Sequence, residues 1–80
     1  MRIEILGMGC FKCKKLYENA QAAVDELGLQ AEIVKVEDIA KITDYGVMTT
    51  PALVIDGIVK AAGRIPTLDE IKKKLIEVNQ

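Results

Sequence analysis

An α/β fold in the order β-α-β-α-β-β-α is predicted for this chain by three features of its sequence. A charged–aliphatic alternation over 2–6, a long helical periodicity and a second apolar stretch over 31–36 together make a βαβ unit. Asp56-Gly57 stands between two apolar runs, the signature of a two-residue hairpin. Thr67-Leu68-Asp69-Glu70 is a capping box that opens a last helix. With 80 residues, one domain spanning 1–80 is expected.

Each element has its own local reason. Arg2 to Leu6 alternates side-chain character with the period of a strand, and Gly7-Met8-Gly9 breaks it. From Cys10 to Leu27 the apolar positions Leu16, Ala20, Ala23, Val24 and Leu27 recur every three or four residues, while Lys14, Lys15, Glu18, Asp25 and Glu26 fall mostly opposite. Gly28 stands where a left-handed helix cap is wanted. Ala31 to Val36 reads as the second strand, with Ala31, Ile33 and Lys35 on one side; the βαβ crossover makes it parallel to the first. Asp38 caps a short helix carrying Ile39 and Ile42 that ends near Gly46, and 47–51 is an extended approach. Strands at 52–55 and 58–61 flank the hairpin turn, and Gly63 ends the pair. The last helix places Leu68, Ile71, Leu75 and Val78 on one face, with Lys72-Lys73-Lys74 as its solvated side.

Composition excludes several function classes. Hydrophobic residues make up 50% and charged residues 29%, which suits a packed core rather than a disordered chain. The net charge of −1 argues against nucleic acid and against a polybasic grip on membranes. No apolar run nears the roughly 20 residues of a membrane span, and the N-terminal segment reads as a strand rather than a signal peptide, so a cytoplasmic address is expected. The chain has no His, which removes imidazole zinc sites and imidazole acid–base chemistry. With no Trp, one Phe and two Tyr, it lacks the aromatics of a base-stacking platform; Tyr17 and Tyr45 are assigned to packing.

The two cysteines, Cys10 and Cys13, carry the chemistry. A bridge across so short a loop constrains the unfolded chain little, so the pair reads as reactive rather than architectural. It stands where the first strand hands over to the first helix. There, unpaired N–H groups and the helix dipole favour a thiolate, and Lys12, Lys14 and Lys15 add positive charge. Cys13 precedes Leu16 by three residues and falls in the buried stripe, whereas Cys10 lies about 60° further round, at the open end. Cys10 is thus the expected nucleophile and Cys13 the resolving thiol. Two other readings stand beside this one. The pair is also consistent with two small buried hydrophobes. Met8-Gly9-Cys10-x-x-Cys13 also resembles the Cu(I)-binding loop of small copper chaperones, although those domains run β-α-β-β-α-β and end on a strand.

Taken whole, the chain resembles the thioredoxin-like superfamily, and within it the small, glutaredoxin-sized redox-active disulfide proteins. The residues that carry the resemblance are 7–13 (Gly-Met-Gly-Cys-Phe-Lys-Cys), Thr49-Thr50-Pro51 leading into 52–57, and Gly63-Arg64 before the last helix. It implies a four-stranded mixed sheet in the order 2-1-3-4 flanked by three helices, and a cis Pro51 lying against the disulfide. Substrate is implied to pair with the backbone of Thr50 as an added strand. The plain reading of Pro51 is the first residue of an edge strand. Phe11 and Lys12 stand where glutaredoxins carry Pro-Tyr and thioredoxins Gly-Pro, and are expected to contact substrate. Phe11 is either an exposed docking contact or a ring folded back onto Met8 or Met48.

Glu4 precedes Cys10 by six residues, the spacing at which thioredoxins carry a buried acid, and is a candidate proton acceptor; the alternative is an acid paired with a nearby Lys or Arg. The expected activity is that of a monomeric thiol–disulfide oxidoreductase acting on disulfide-containing proteins. The Cys10–Cys13 couple carries the electrons, so no cofactor and no metal is required. Glutaredoxin residues for glutathione are not clearly present beyond the Gly63 region and Asp69, which favours a thioredoxin-reductase-like flavoprotein as electron donor.

Overall fold

The stop signals in the sequence become backbone geometry in a computed structural model that describes residues 1–9 and 11–78. Its elements are β1 (Arg2–Leu6), α1 (Phe11–Leu27), β2 (Glu32–Val36), α2 (Ile39–Asp44), β3 (Ala52–Ile55), β4 (Ile58–Ala62) and α3 (Leu68–Val78). Gly28 adopts φ 64°, and the chain closes α1 with the paired bonds of a Schellman motif, Leu29 N–H to Val24 O at 3.1 Å and Gly28 N–H to Asp25 O at 3.2 Å. Asp56 and Gly57 both take positive φ, 49° and 84°, as the tight β3–β4 hairpin demands. Asp38 caps α2 by accepting from Ala40 N–H at 2.9 Å. At α3, Thr67 Oγ1 accepts from Glu70 N–H at 3.2 Å, and the Glu70 carboxylate reaches back to Thr67 N–H at 3.5 Å.

The strands form one mixed sheet in the order β2-β1-β3-β4. β1 runs parallel to β2 and antiparallel to β3, and β3 runs antiparallel to β4. Strand alternation sorts the two faces. Ile3 and Ile5 stand opposite Ile55 and Leu53, and these four pack with Leu16, Ala20, Ala23 and Val24 of α1 and Ile71 and Leu75 of α3. On the other face, Leu6, Ala52 and Val54 meet Ile42 of α2 in a smaller cluster. α1 and α3 are further tied by Lys72 Nζ to Glu26 Oε1 at 3.2 Å, while Asn19 of α1 donates to Pro66 O at 3.1 Å. The helical stripes read from spacing, including Leu68 and Val78 at its margin, are those that face the sheet.

This core supplies most of the favourable folding energy, at about 1.5–3 kcal/mol for each fully buried aliphatic side chain. Leu53→Ala, at a position with no exposure, is expected to lower unfolding stability by about 2–5 kcal/mol in urea titration. Ile58→Ala, at a strand position 59% exposed, should stay within about 0.5 kcal/mol of wild type. Equal losses in the two variants would contradict the layer assignment.

Candidate active site

The site forms where β1 passes into α1. Phe11, Lys12 and Cys13 make the first turn of α1, a turn that contains no acidic residue. The helix N-terminus and the exposed Lys12, Lys14 and Lys15 produce a positive local field. Cys13 is 6% exposed and begins the buried stripe that Leu16 and Ala20 continue, as the spacing predicts. Cys10, the expected nucleophile, lies outside the described residues.

Gly7 determines how Cys13 is seated. Its N–H donates to Val36 O at 3.0 Å, extending the β1–β2 ladder by one residue. A Cβ on Gly7 would fall inside the contact radius of Cys13 Sγ and 3.8 Å from Thr50 Cβ. Position 7 therefore admits no side chain, and three segments converge there: the end of β1, the first turn of α1 and, from far along the chain, the approach to β3. The Thr50–Pro51 peptide is cis, with Pro51 fully buried and Thr50 exposed. Pro51 O accepts from Gly63 N–H at 2.9 Å, which joins the approach to β3 to the end of β4.

Three large apolar side chains of the segments that meet here are exposed. Phe11 is 81% exposed and Met48 96% exposed, and Met8 is exposed as well. Phe11 therefore projects outward rather than folding back onto either methionine.

Glu4 sits elsewhere. Alternation along β1 turns it to the α2 face, where its side chain is 12% exposed. Arg2 Nε donates to its Oε1 at 3.1 Å, and the Tyr45 hydroxyl donates to its Oε2. It lines an open cavity of about 600 Å³ between the sheet and α2. The hydrogen bond to Glu4, with burial and the carboxylate charge adding to it, raises the Tyr45 pKa above 10.0. No sequence signal marks this partnership, because the two residues are far apart in the chain.

Cys13 lines a different, smaller cavity of about 150 Å³, on the side of Ile5, together with Gly7, Gly9, Lys14, Lys35 and Glu37. Neither Lys35 nor Glu37 is marked by any sequence motif. The signal that reaches them is topological: β1 and β2 are parallel neighbours, so the last residues of both strands and those that follow meet at one end of the sheet, beside the α1 N-terminus. Lys35 also extends across α1, with its Nζ 4.8 Å from the centre of the Tyr17 ring. Among the described residues, no group of three or more His, Cys, Asp or Glu is placed to hold a metal ion.

A cysteine sheltered at a helix N-terminus, against a glycine that ends the central strand and a cis proline that enters the next, defines a thioredoxin-fold redox protein. Residues 1–76 match the family model described as Thioredoxin domain. Over 73 residues the chain is 47% identical to a thioredoxin of Methanocaldococcus jannaschii, covering 91% of this chain and 84% of the relative. It is 43% identical over 75 residues to a thioredoxin of Methanothermobacter thermautotrophicus, covering 94% and 97%. The chain belongs to the thioredoxin family and is a thiol–disulfide oxidoreductase. The copper-chaperone reading finds no support in this match, nor in an element order that ends on α3.

Two measurements check this geometry. Gly7→Ala is expected to cost about 1–3 kcal/mol in denaturant unfolding, because the added methyl displaces Cys13 Sγ or the backbone beneath it. Unchanged stability would show that position 7 has room. The raised Tyr45 pKa means that the folded state favours the neutral phenol. Its contribution is complete below the unfolded tyrosine value of about 10 and is lost as pH rises through the folded value. In a Tyr17→Phe background, phenolate absorbance should therefore appear above pH 10, and Glu4→Gln should move that titration down. An unmoved titration would separate Tyr45 from Glu4.

Proposed function

We propose that the chain reduces disulfides in proteins, with Cys10 as the nucleophile and Cys13 as the resolving thiol. Cys10 thiolate attacks one sulfur of the substrate disulfide, forming a mixed disulfide and releasing the first substrate thiolate. Cys13 thiolate then attacks the Cys10 sulfur, and the second substrate thiolate leaves with the electron pair. The observation that carries this division of labour is the burial of Cys13 against Gly7, which makes it accessible to a neighbouring sulfur far more readily than to a bulky substrate. The positive field at the start of α1 favours both thiolates.

Substrate binds across the junction of β1, α1 and the approach to β3. Exposed Phe11 and Met48 offer side-chain contact, Lys12 offers a cation beside them, and the exposed Thr50, ahead of Pro51, offers backbone to an extended segment. Glu4 is assigned to holding Tyr45 and Arg2 on the α2 face rather than to proton transfer. The dithiol carries the electrons itself, so the reaction requires no cofactor. We assign the protein to the cytoplasm as a monomeric single domain over 1–80, re-reduced by a thioredoxin-reductase-like flavoprotein. No helix among the described residues is long and apolar enough to cross a membrane.

Cysteine substitutions test the assignment. Cys10→Ser is expected to abolish reduction of a protein disulfide, whereas Cys13→Ser should accumulate a mixed disulfide visible by intact mass. Activity retained in both variants would refute the two-cysteine mechanism. Phe11→Ser should slow protein-disulfide reduction several-fold while leaving reduction of a small aryl disulfide within about twofold, since about 1–2 kcal/mol of apolar contact is at stake. Equal effects on both substrates would remove Phe11 from the docking surface.

A further inference from the structure

We propose that Glu37 accepts the Cys13 proton in the resolving step, an inference that rests on the Cys10–Cys13 reading above. Glu37 follows β2 and lines the cavity of about 150 Å³ that Cys13 also lines. Its Oε1 lies 3.5 Å from where a Cβ on Gly9 would be, so the carboxylate rests against the loop that leads into Cys10 in the sequence. Gly9 has φ 78° and no side chain to separate that carboxylate from the loop. At about 30 Å³ per molecule, the cavity has room for several waters, through which a thiol proton reaches a carboxylate at its rim.

The other charged groups facing this space do not compete for the role. Lys14 of α1 and Lys35 of β2 are cations; they favour the Cys13 thiolate once it forms but accept no proton from it. Glu37 also borders the larger cavity, where Arg2, Glu4, Asp38, Lys41, Asp44 and Tyr45 face it. Of those acids, Glu4 is engaged by Arg2 and Tyr45, and Asp38 by the start of α2. None of the six lines the Cys13 cavity. The step balances as a proton transfer followed by exchange. Cys13 S–H gives its proton to Glu37, and the Cys13–Cys10 bond forms as the Cys10–substrate bond breaks. The electron pair leaves on the substrate sulfur, which takes up a proton from Glu37 or solvent. The dithiol is oxidised and the substrate disulfide reduced by two electrons.

Stopped-flow reaction of the reduced full chain with a chromogenic aryl disulfide separates the steps. A bimolecular release of the first aryl thiolate reports Cys10, and a unimolecular release of the second reports Cys13. Glu37→Gln is expected to slow the unimolecular phase about tenfold near neutral pH and to make it climb about tenfold per pH unit, where wild type is nearly flat. Glu37→Asp should recover part of the rate, and Glu4→Gln should behave as wild type. A Glu37→Gln phase with wild-type rate and pH profile overturns the inference, as does transfer of the effect to Glu4→Gln. A wild-type protein with no unimolecular release overturns the Cys10–Cys13 reading instead.

Discussion

The place that Cys13 occupies in α1 exists only because position 7 has no side chain. A Cβ there would overlap the sulfur, so the end of the central strand and the first turn of the helix can approach closely enough for a thiol to be buried between them. Much of the local architecture depends on that approach. It keeps Cys13 in the stripe continued by Leu16 and Ala20. It also brings Thr50 beside the same point and holds the β1–β2 ladder to the strand ends through Gly7 N–H. Because interiors are packed to crystal-like density, an extra methyl at such a point moves backbone rather than filling a void.

Charge is arranged around this junction by topology rather than by sequence neighbourhood. A parallel β1–β2 pair linked by α1 places both strand ends and the helix N-terminus together. The helix end and its lysines bring positive potential, and the residues after β2 bring Glu37. The sheltered thiol thus has cations that stabilise its ionised form and a carboxylate beside the same cavity. A carboxylate alone would disfavour the thiolate, and cations alone would supply no acceptor for its proton.

Most of the fold was legible in the sequence because its determinants are local. Asp56-Gly57, Thr67 with Glu70, Gly28 and Asp38 each specify a turn or cap within a few residues, and each performs that part. The helical stripes were legible for the same reason. The three-residue spacing from Cys13 to Leu16 placed Cys13 in the buried stripe, as the structure has it. Glu37, Lys35 and the Tyr45–Glu4 bond were not legible, because they arise from contacts between segments far apart in the chain. Gly7 read as a strand breaker and does follow the last residue of β1, but the space it leaves for the Cys13 sulfur was not legible. Tyr45 read as packing; it does pack against the smaller cluster, and it also donates a hydrogen bond to Glu4.

Glu4 and Glu37 are placed by different constraints. Glu4 lies within β1, and alternation commits every second residue of a strand to one face. Since Ile3 and Ile5 face α1, Glu4 must face α2, whatever its distance in sequence from Cys10. The hydrogen bonds from Arg2 and Tyr45 then fix it there. Glu37 lies one residue beyond β2, where that constraint no longer holds, and its carboxylate borders both cavities. A strand therefore assigns its own acids to a face, while the residue that follows the strand reaches the site formed by the parallel pair. In a fold whose reactive thiol sits at the carboxyl ends of two parallel strands, the position just after the second strand is the more direct place for an acid that serves that thiol.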